Sequence, residues 1–244
     1  AKTAVRLNAR LIAEELSKLG ITVVCAPVLD VVQAGADPII GDRSYGGDPA
    51  TVTALGGAAC EGFLDGGVLP IIKHIPGHGR AGIDSHKALP SVSAAKQELM
   101  ATDFAPFAAL AGMTWAMTAH VLYSQIDADQ PATTSANVID VIRREIGFTG
   151  ILLSDDLSMQ ALSGNMAGRV TNALAAGCDI VLHCNGESDE MMEIAEACPV
   201  LGESARDRVA QGEARRMENI LIWPEGSDQA GRQLVAMLDG EEGI

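Results

Sequence analysis

The polarity pattern of the chain repeats one phrase five times: a helical stripe, a glycine stop, then a short run of β-formers. The stops are Leu19-Gly20, Gly66-Gly67, Ala111-Gly112, Ile146-Gly147 and Ala176-Gly177. The runs that follow are Ile21 to Leu29, Val68 to His74, Met113 to Val121, Gly150 to Asp155 and Asp179 to His183. They are largely continuous apolar stretches, the pattern of strands buried on both faces. Alternation with helices makes them right-handed βαβ units of a parallel sheet, an α/β fold.

Helix signals support the same parse. The first helix carries the stripe Leu7, Leu11, Ile12, Leu16 and Leu19, and Gly20 ends it. Asp48-Pro49 sets a capping acid before a first-turn proline, opening a helix that reaches Asp65. Ser135 precedes a stripe of Val138, Ile139, Ile142 and Ile146. Residues 203–239 predict two surface helices separated at Trp223-Pro224.

Each predicted strand ends in a polar or ionisable group: Asp30, Lys73-His74, His120, Asp155-Asp156 and His183-Cys184-Asn185. Ligands of α/β sheets and barrels sit at the carboxyl ends of the strands, so the repetition predicts a shared pocket.

Composition narrows the partners. A formal net charge of −15 without a basic stripe argues against nucleic acid, whose binding requires Lys and Arg against phosphates. The five cysteines (Cys25, Cys60, Cys178, Cys184 and Cys198) show no paired spacing and no CxxC, which suits reduced thiols in a cytoplasm. Apolar runs break off too early for a membrane span. No cofactor, membrane or obligate protein partner is expected; the partner expected is a small-molecule substrate.

Two stretches carry chemistry. Lys73-His74-Ile75-Pro76-Gly77-His78-Gly79 opens a long loop reaching Pro90 that contains Asp84-Ser85-His86. Asp84 and His86 share a face of an extended segment, where a carboxylate orients an imidazole for acid–base work. A merely solvated loop would show the same spacing. Ser154-Asp155-Asp156-Leu157 stands where a buried strand gives way to a loop. Alternating side-chain direction lets one acid face the pocket while the other caps the next segment. Adjacent acids also bind metals.

Taken together, Lys-His-x-Pro-Gly-His-Gly, Asp-Ser-His and Ser-Asp-Asp-Leu-Ser-Met resemble family 3 glycoside hydrolases, more narrowly the bacterial β-N-acetylglucosaminidases of peptidoglycan recycling. Ala26-Pro27-Val28-Leu29-Asp30-Val31, Gly41-Asp42-Arg43-Ser44-Tyr45-Gly46 and Leu182-His183-Cys184-Asn185 fit the same family, and the likeness runs to about Pro199. The resemblance implies a retaining, two-step hydrolysis of terminal N-acetylglucosamine from anhydro-muropeptides. Asp155 would be the covalent nucleophile, and His86, oriented by Asp84, the acid/base, in place of the usual second carboxylate. Arg43, Lys73 and His74 would hold sugar hydroxyls. Arg80 and Ile75 depart from the family pattern, where an acid and an aromatic are common. With aromatics at 3%, an exo-acting enzyme on small fragments fits better than one gripping a long polysaccharide.

The fold implied is a TIM-type (β/α)8 barrel, and residues 1–244 form a single catalytic domain. Five strands are counted and eight are needed, so the first three would be missing from this chain. Open edges make the isolated chain 1–244 an expected unstable or inactive fragment. Two other enzymatic readings are a metal-dependent barrel hydrolase using His74, His78, His86, His120, His183 and Asp155, and phosphorolysis in place of hydrolysis. A catalytically silent binding protein is the third alternative.

Overall fold

The computed structural model describes residues 1–218, 220–221 and 227–240. Its centre is a parallel sheet in the order β1 (Val23–Val24), β2 (Leu69–Ile75), β4 (Trp115–Thr118), β6 (Ile151–Asp156) and β7 (Ile180–Leu182). All five predicted strands are there, in chain order. Pairing aligns Ile72 with Ala116 and Ala116 with Leu152, so one buried row crosses three strands. A small parallel pair, β3 (Ser91–Val92) with β5 (Leu122–Tyr123), had no counterpart in the apolar pattern, being too short to show a period.

The first predicted strand is cut short. Only Val23 and Val24 pair regularly, and Pro27, which has no N–H, interrupts the ladder. Contact resumes at Val28 opposite Lys73, with the Leu29 amide donating to Lys73 O at 2.6 Å. β2 and β6 each carry a register shift, at Lys73/Ile75 and at Leu153/Asp156. Such irregularities re-aim side chains, and both fall where the sequence placed its chemistry.

Helices cross between the strands: α1 (Lys2–Lys18), α2 (Pro49–Asp65), the short α3 (Lys96–Ala101) and α4 (Ala105–Ala109), α5 (Ala136–Asp140) and α6 (Met166–Ala176). A π-helical turn over Val141–Glu145 continues α5. Asp48 caps α2 by accepting from the Thr51 amide at 2.8 Å, and Ser135 caps α5 through the Val138 amide at 3.1 Å, as expected. Gly177 ends α6 in the left-handed conformation (φ 118°), which glycine adopts without a side-chain clash.

The stripe expected for α1 is not the face it buries. Ala9 and Ala13 are the buried residues, while Ile12 and Leu19 are exposed. The reason lies in α2: a Cβ at Gly62 would sit 2.2 Å from Arg6 O, and one at Gly66 2.4 Å from the Ala13 Cβ. Small residues let the two backbones approach more closely than a leucine face allows.

α7 (Ser188–Ala197), α8 (Glu203–Glu218) and α9 (Ser227–Leu238) complete the described chain, the last lying against α1. The two expected surface helices are therefore present, but Trp223-Pro224 falls outside the described residues. The main core gathers Leu29, Ile72, Leu152, Phe104, Phe107, Tyr123 and Phe148 around the sheet. Cys60 and Cys178 lie in it, and burial pushes both thiols up to about 12.

Candidate active site

Four of the five strand ends converge. Asp30 is wholly buried, and its carboxylate accepts three hydrogen bonds: from the His74 amide at 3.2 Å, the His78 amide at 2.6 Å and His74 Nδ1 at 2.7 Å. Burial alone would raise its pKa; His74 and His78 outweigh that and hold it below the ordinary 3.8. The other ring nitrogen, His74 Nε2, faces Asp155 Oδ2 at 3.9 Å.

Asp155 is nearly as buried, at 6% exposure. Desolvation pushes its pKa up, and His74, His120, the Asp156 amide and Lys73 together pull it below 3.8. The Asp156 N–H donates to Asp155 Oδ1 at 2.9 Å. The second acid does different work: Asp156 accepts from Ser158 N and Oγ and from the Cys184 amide, capping the two loops that follow.

His120 clamps this turn. Its Nε2 lies 3.0 Å from the Asp156 carbonyl, which can only accept, so that nitrogen carries the proton. Nδ1 lies 2.7 Å from Thr133 Oγ1, which also donates to Ala119 O at 3.2 Å. Burial lowers the His120 pKa.

The fifth strand end joins through the Cys184 amide on Asp156 but not through its histidine. His183 Nε2 pairs with Glu190 of α7 at 2.8 Å, and Asn185 donates to the same carboxylate oxygen. An acid at a surface helix start gives no sequence sign that it will claim the strand-end histidine.

Asp84 and His86 form a pair of their own. Asp84 Oδ1 accepts from both the His86 amide and His86 Nδ1 at 2.9 Å. Asp84 is held below its ordinary value: burial would raise it, but the His86 amide and ring and Lys87 prevail. The His86 side chain is 56% exposed. Backbone ties this loop to the segment after Asp155, since Ala161 N–H donates to Ser85 O at 3.1 Å and Ser85 Oγ meets Met159 Sδ at 3.7 Å. Arg169, which no motif singled out, holds that same segment through the carbonyls of Leu157, Met159 and Gly164.

Arg43 and Lys73 line a cleft of ≈ 320 Å³ beside β1, together with Cys25 and Tyr45. Arg43 donates to Ile39 O. Arg80, one of the departures from the family pattern, pairs with buried Asp103 at 2.7 Å and with Glu98 at 2.8 Å, anchoring the loop base. Ile75, the other, is fully buried in the core. A separate apolar cavity of ≈ 410 Å³ lies between α6, β7 and α8. Its one acid, Asp179, is already paired with Arg143 and Arg208. Among the described residues no three His, Cys, Asp or Glu side chains gather as a metal-holding group. No described helix is long and apolar enough to cross a membrane.

Known proteins are similar to this chain in sequence and fold. A "Beta-hexosaminidase" of Methylococcus capsulatus is 39% identical over 212 residues, covering 85% of this chain and 61% of that protein. One of Pseudomonas aeruginosa is 40% identical over 189 residues, covering 76% and 56%. The chain thus spans little more than half the length of these relatives. Among solved structures, NagZ from Neisseria gonorrhoeae in complex with N-trifluoroacetyl-D-glucosamine superposes with a TM-score of 0.83 at 33% identity, over 97% of this chain and 70% of that one. A glycoside hydrolase family 3 β-N-acetylglucosaminidase from Paenibacillus gives 0.84 at 30% identity, over 96% and 49%. Residues 2–217 match the glycosyl hydrolase family 3 N-terminal domain, and the chain belongs to that family.

Proposed function

We propose that the protein is a retaining, exo-acting β-N-acetylglucosaminidase that releases terminal N-acetylglucosamine from anhydro-muropeptides. The observation that carries this reading is Asp155: a buried carboxylate kept ionised by His74, His120 and Lys73 at the carboxyl end of a parallel strand. An ionised, desolvated oxygen is what attack on an anomeric carbon requires. His86 is the acid/base and Asp84 its orienting partner; the exposed ring exchanges protons with water, and its loop can close on a bound sugar. Arg43, Lys73 and His74 hold the sugar hydroxyls. The solved relative bound to N-trifluoroacetyl-D-glucosamine supports a 2-acylamino sugar.

For the fold, the finer reading is a TIM-type (β/α)8 barrel in which β1, β2, β4, β6 and β7 form one arc. The uniform parallel direction and strand-end site support it. A reducing cytoplasm suits five cysteines that are all free.

Trapping the intact protein with a slow fluoro-sugar substrate, followed by peptide mapping, tests the assignment. Label on Asp155 is expected. Label elsewhere, or none during measurable turnover, defeats it.

A further inference from the structure

His74 sits between two buried carboxylates, and the two contacts differ in kind. Toward Asp155 it offers Nε2 at 3.9 Å, too long for a resting hydrogen bond. Toward Asp30 it offers Nδ1 at 2.7 Å. Asp30 is fully buried, so it reaches the reaction only through what it holds. Its Oδ1 is bound by two backbone amides, His74 and His78, and its Oδ2 by the ring. With both oxygens committed the carboxylate cannot rotate, and the ring it holds cannot turn over.

A carboxylate accepts and does not donate, so Nδ1 must carry the proton of that contact. Which nitrogen of an imidazole is protonated is set by the bond the other one makes. We infer that Asp30 is a positioning residue: it fixes the Nδ1-protonated form of His74 and so decides what Nε2 presents to the nucleophile and to a sugar hydroxyl. This rests on the reading of Asp155 as nucleophile.

Among the described residues, His74 is the only side chain bonded to the Asp30 carboxylate. Tyr123 is near Asp30, but its hydroxyl donates to Gly77 O. The His78 ring stands 5.7 Å from His74 and meets Asp30 through its backbone amide, not its ring. On the far side Asp155 also faces His120, Lys73 and the thiols of Cys25 and Cys184. Of these, His120 is committed to Thr133 and the Asp156 carbonyl. Without Asp30, an asparagine amide facing Nδ1 would donate instead of accept, moving the imidazole proton to Nε2.

The test combines a spectroscopic and a kinetic measurement on the intact protein. Long-range ¹H–¹⁵N correlation of labelled histidines is expected to show His74 protonated at Nδ1 in the wild type, and at Nε2 with Nδ1 bare in Asp30→Asn. Hydrolysis of an aryl N-acetyl-β-glucosaminide by Asp30→Asn is expected to lose about ten- to a hundredfold in kcat/KM. Placed on a His74→Gln background, Asp30→Asn is expected to add less than about twofold, because the pathway is already gone. A wild-type His74 with an unprotonated Nδ1 overturns the inference even if the variant does not fold. So does a variant that keeps the wild-type tautomer, or whose loss is undiminished without His74. A wild type that binds but does not hydrolyse the substrate overturns the proposed function, and this inference with it.

Discussion

The molecule contains two Asp–His pairs of nearly equal length that are built for opposite tasks. Asp30–His74 closes at 2.7 Å inside the sheet, and Asp84–His86 at 2.9 Å on a loop with His86 more than half exposed. In the first, every hydrogen-bonding oxygen is spoken for and water is excluded, so the pair is a fixed electrostatic element. In the second, one ring nitrogen is held while the ring stays in reach of solvent, as the proposed acid/base role requires. Burial, rather than pair geometry, separates the two roles.

The comparison can be broken at several points. The largest effect is expected from Asp155→Asn, which removes the group the buried pair serves: kcat should fall by about 10⁴-fold or more, measured with an aryl glycoside. Residual turnover above a few per cent would mean that the buried cluster does not hold the nucleophile. His86→Ala should cost about 10²- to 10⁴-fold with a sugar leaving group, and far less with nitrophenol, which leaves without protonation. Equal losses on both substrates would take the proton-carrier role away from the exposed pair.

A smaller contrast lies in acid stability. His78 and His120 are buried with pKa values below the ordinary 6.5, so the unfolded chain binds protons that the folded one does not. Stability should therefore fall as pH drops below about 6.5, by up to about 1.4 kcal/mol per pH unit for each histidine. Asp30 and Asp155, depressed below 3.8, add their loss only under stronger acid. Thermal midpoints between pH 7.5 and 5 check the sign, and His120→Asn should flatten the slope. Smallest of all, Ser85→Ala should loosen the loop by about 1 kcal/mol, read as faster proteolysis near residues 82–88 with the thermal midpoint unmoved.

Much of this was legible before any coordinates, for identifiable reasons. Long apolar runs can only be buried strands here, and the capping residues Asp48 and Ser135 act locally, so both survive translation into three dimensions. The α1 stripe misled because apolar periodicity marks a buried face without saying how close the partner comes. Gly62 and Gly66 settled that in favour of Ala9 and Ala13. His183 misled because strand position alone does not reveal a competing acid on a neighbouring helix. Arg43 has no periodic signature at all; only the family resemblance marked it. The tether from Ser85 to Ala161 runs through backbone atoms that any sequence provides.

The seam between α1 and α2 limits how this protein can drift. Arg6 presents its carbonyl to Gly62, while its guanidinium spans Asp65 at 2.7 Å and Glu61 at 2.9 Å on the same helix. A methyl group at Gly62 would therefore displace a charge network along with a backbone. A larger residue at Gly62 requires a matching shift of the Arg6 and Ala9 backbone, which couples the two helices at this seam.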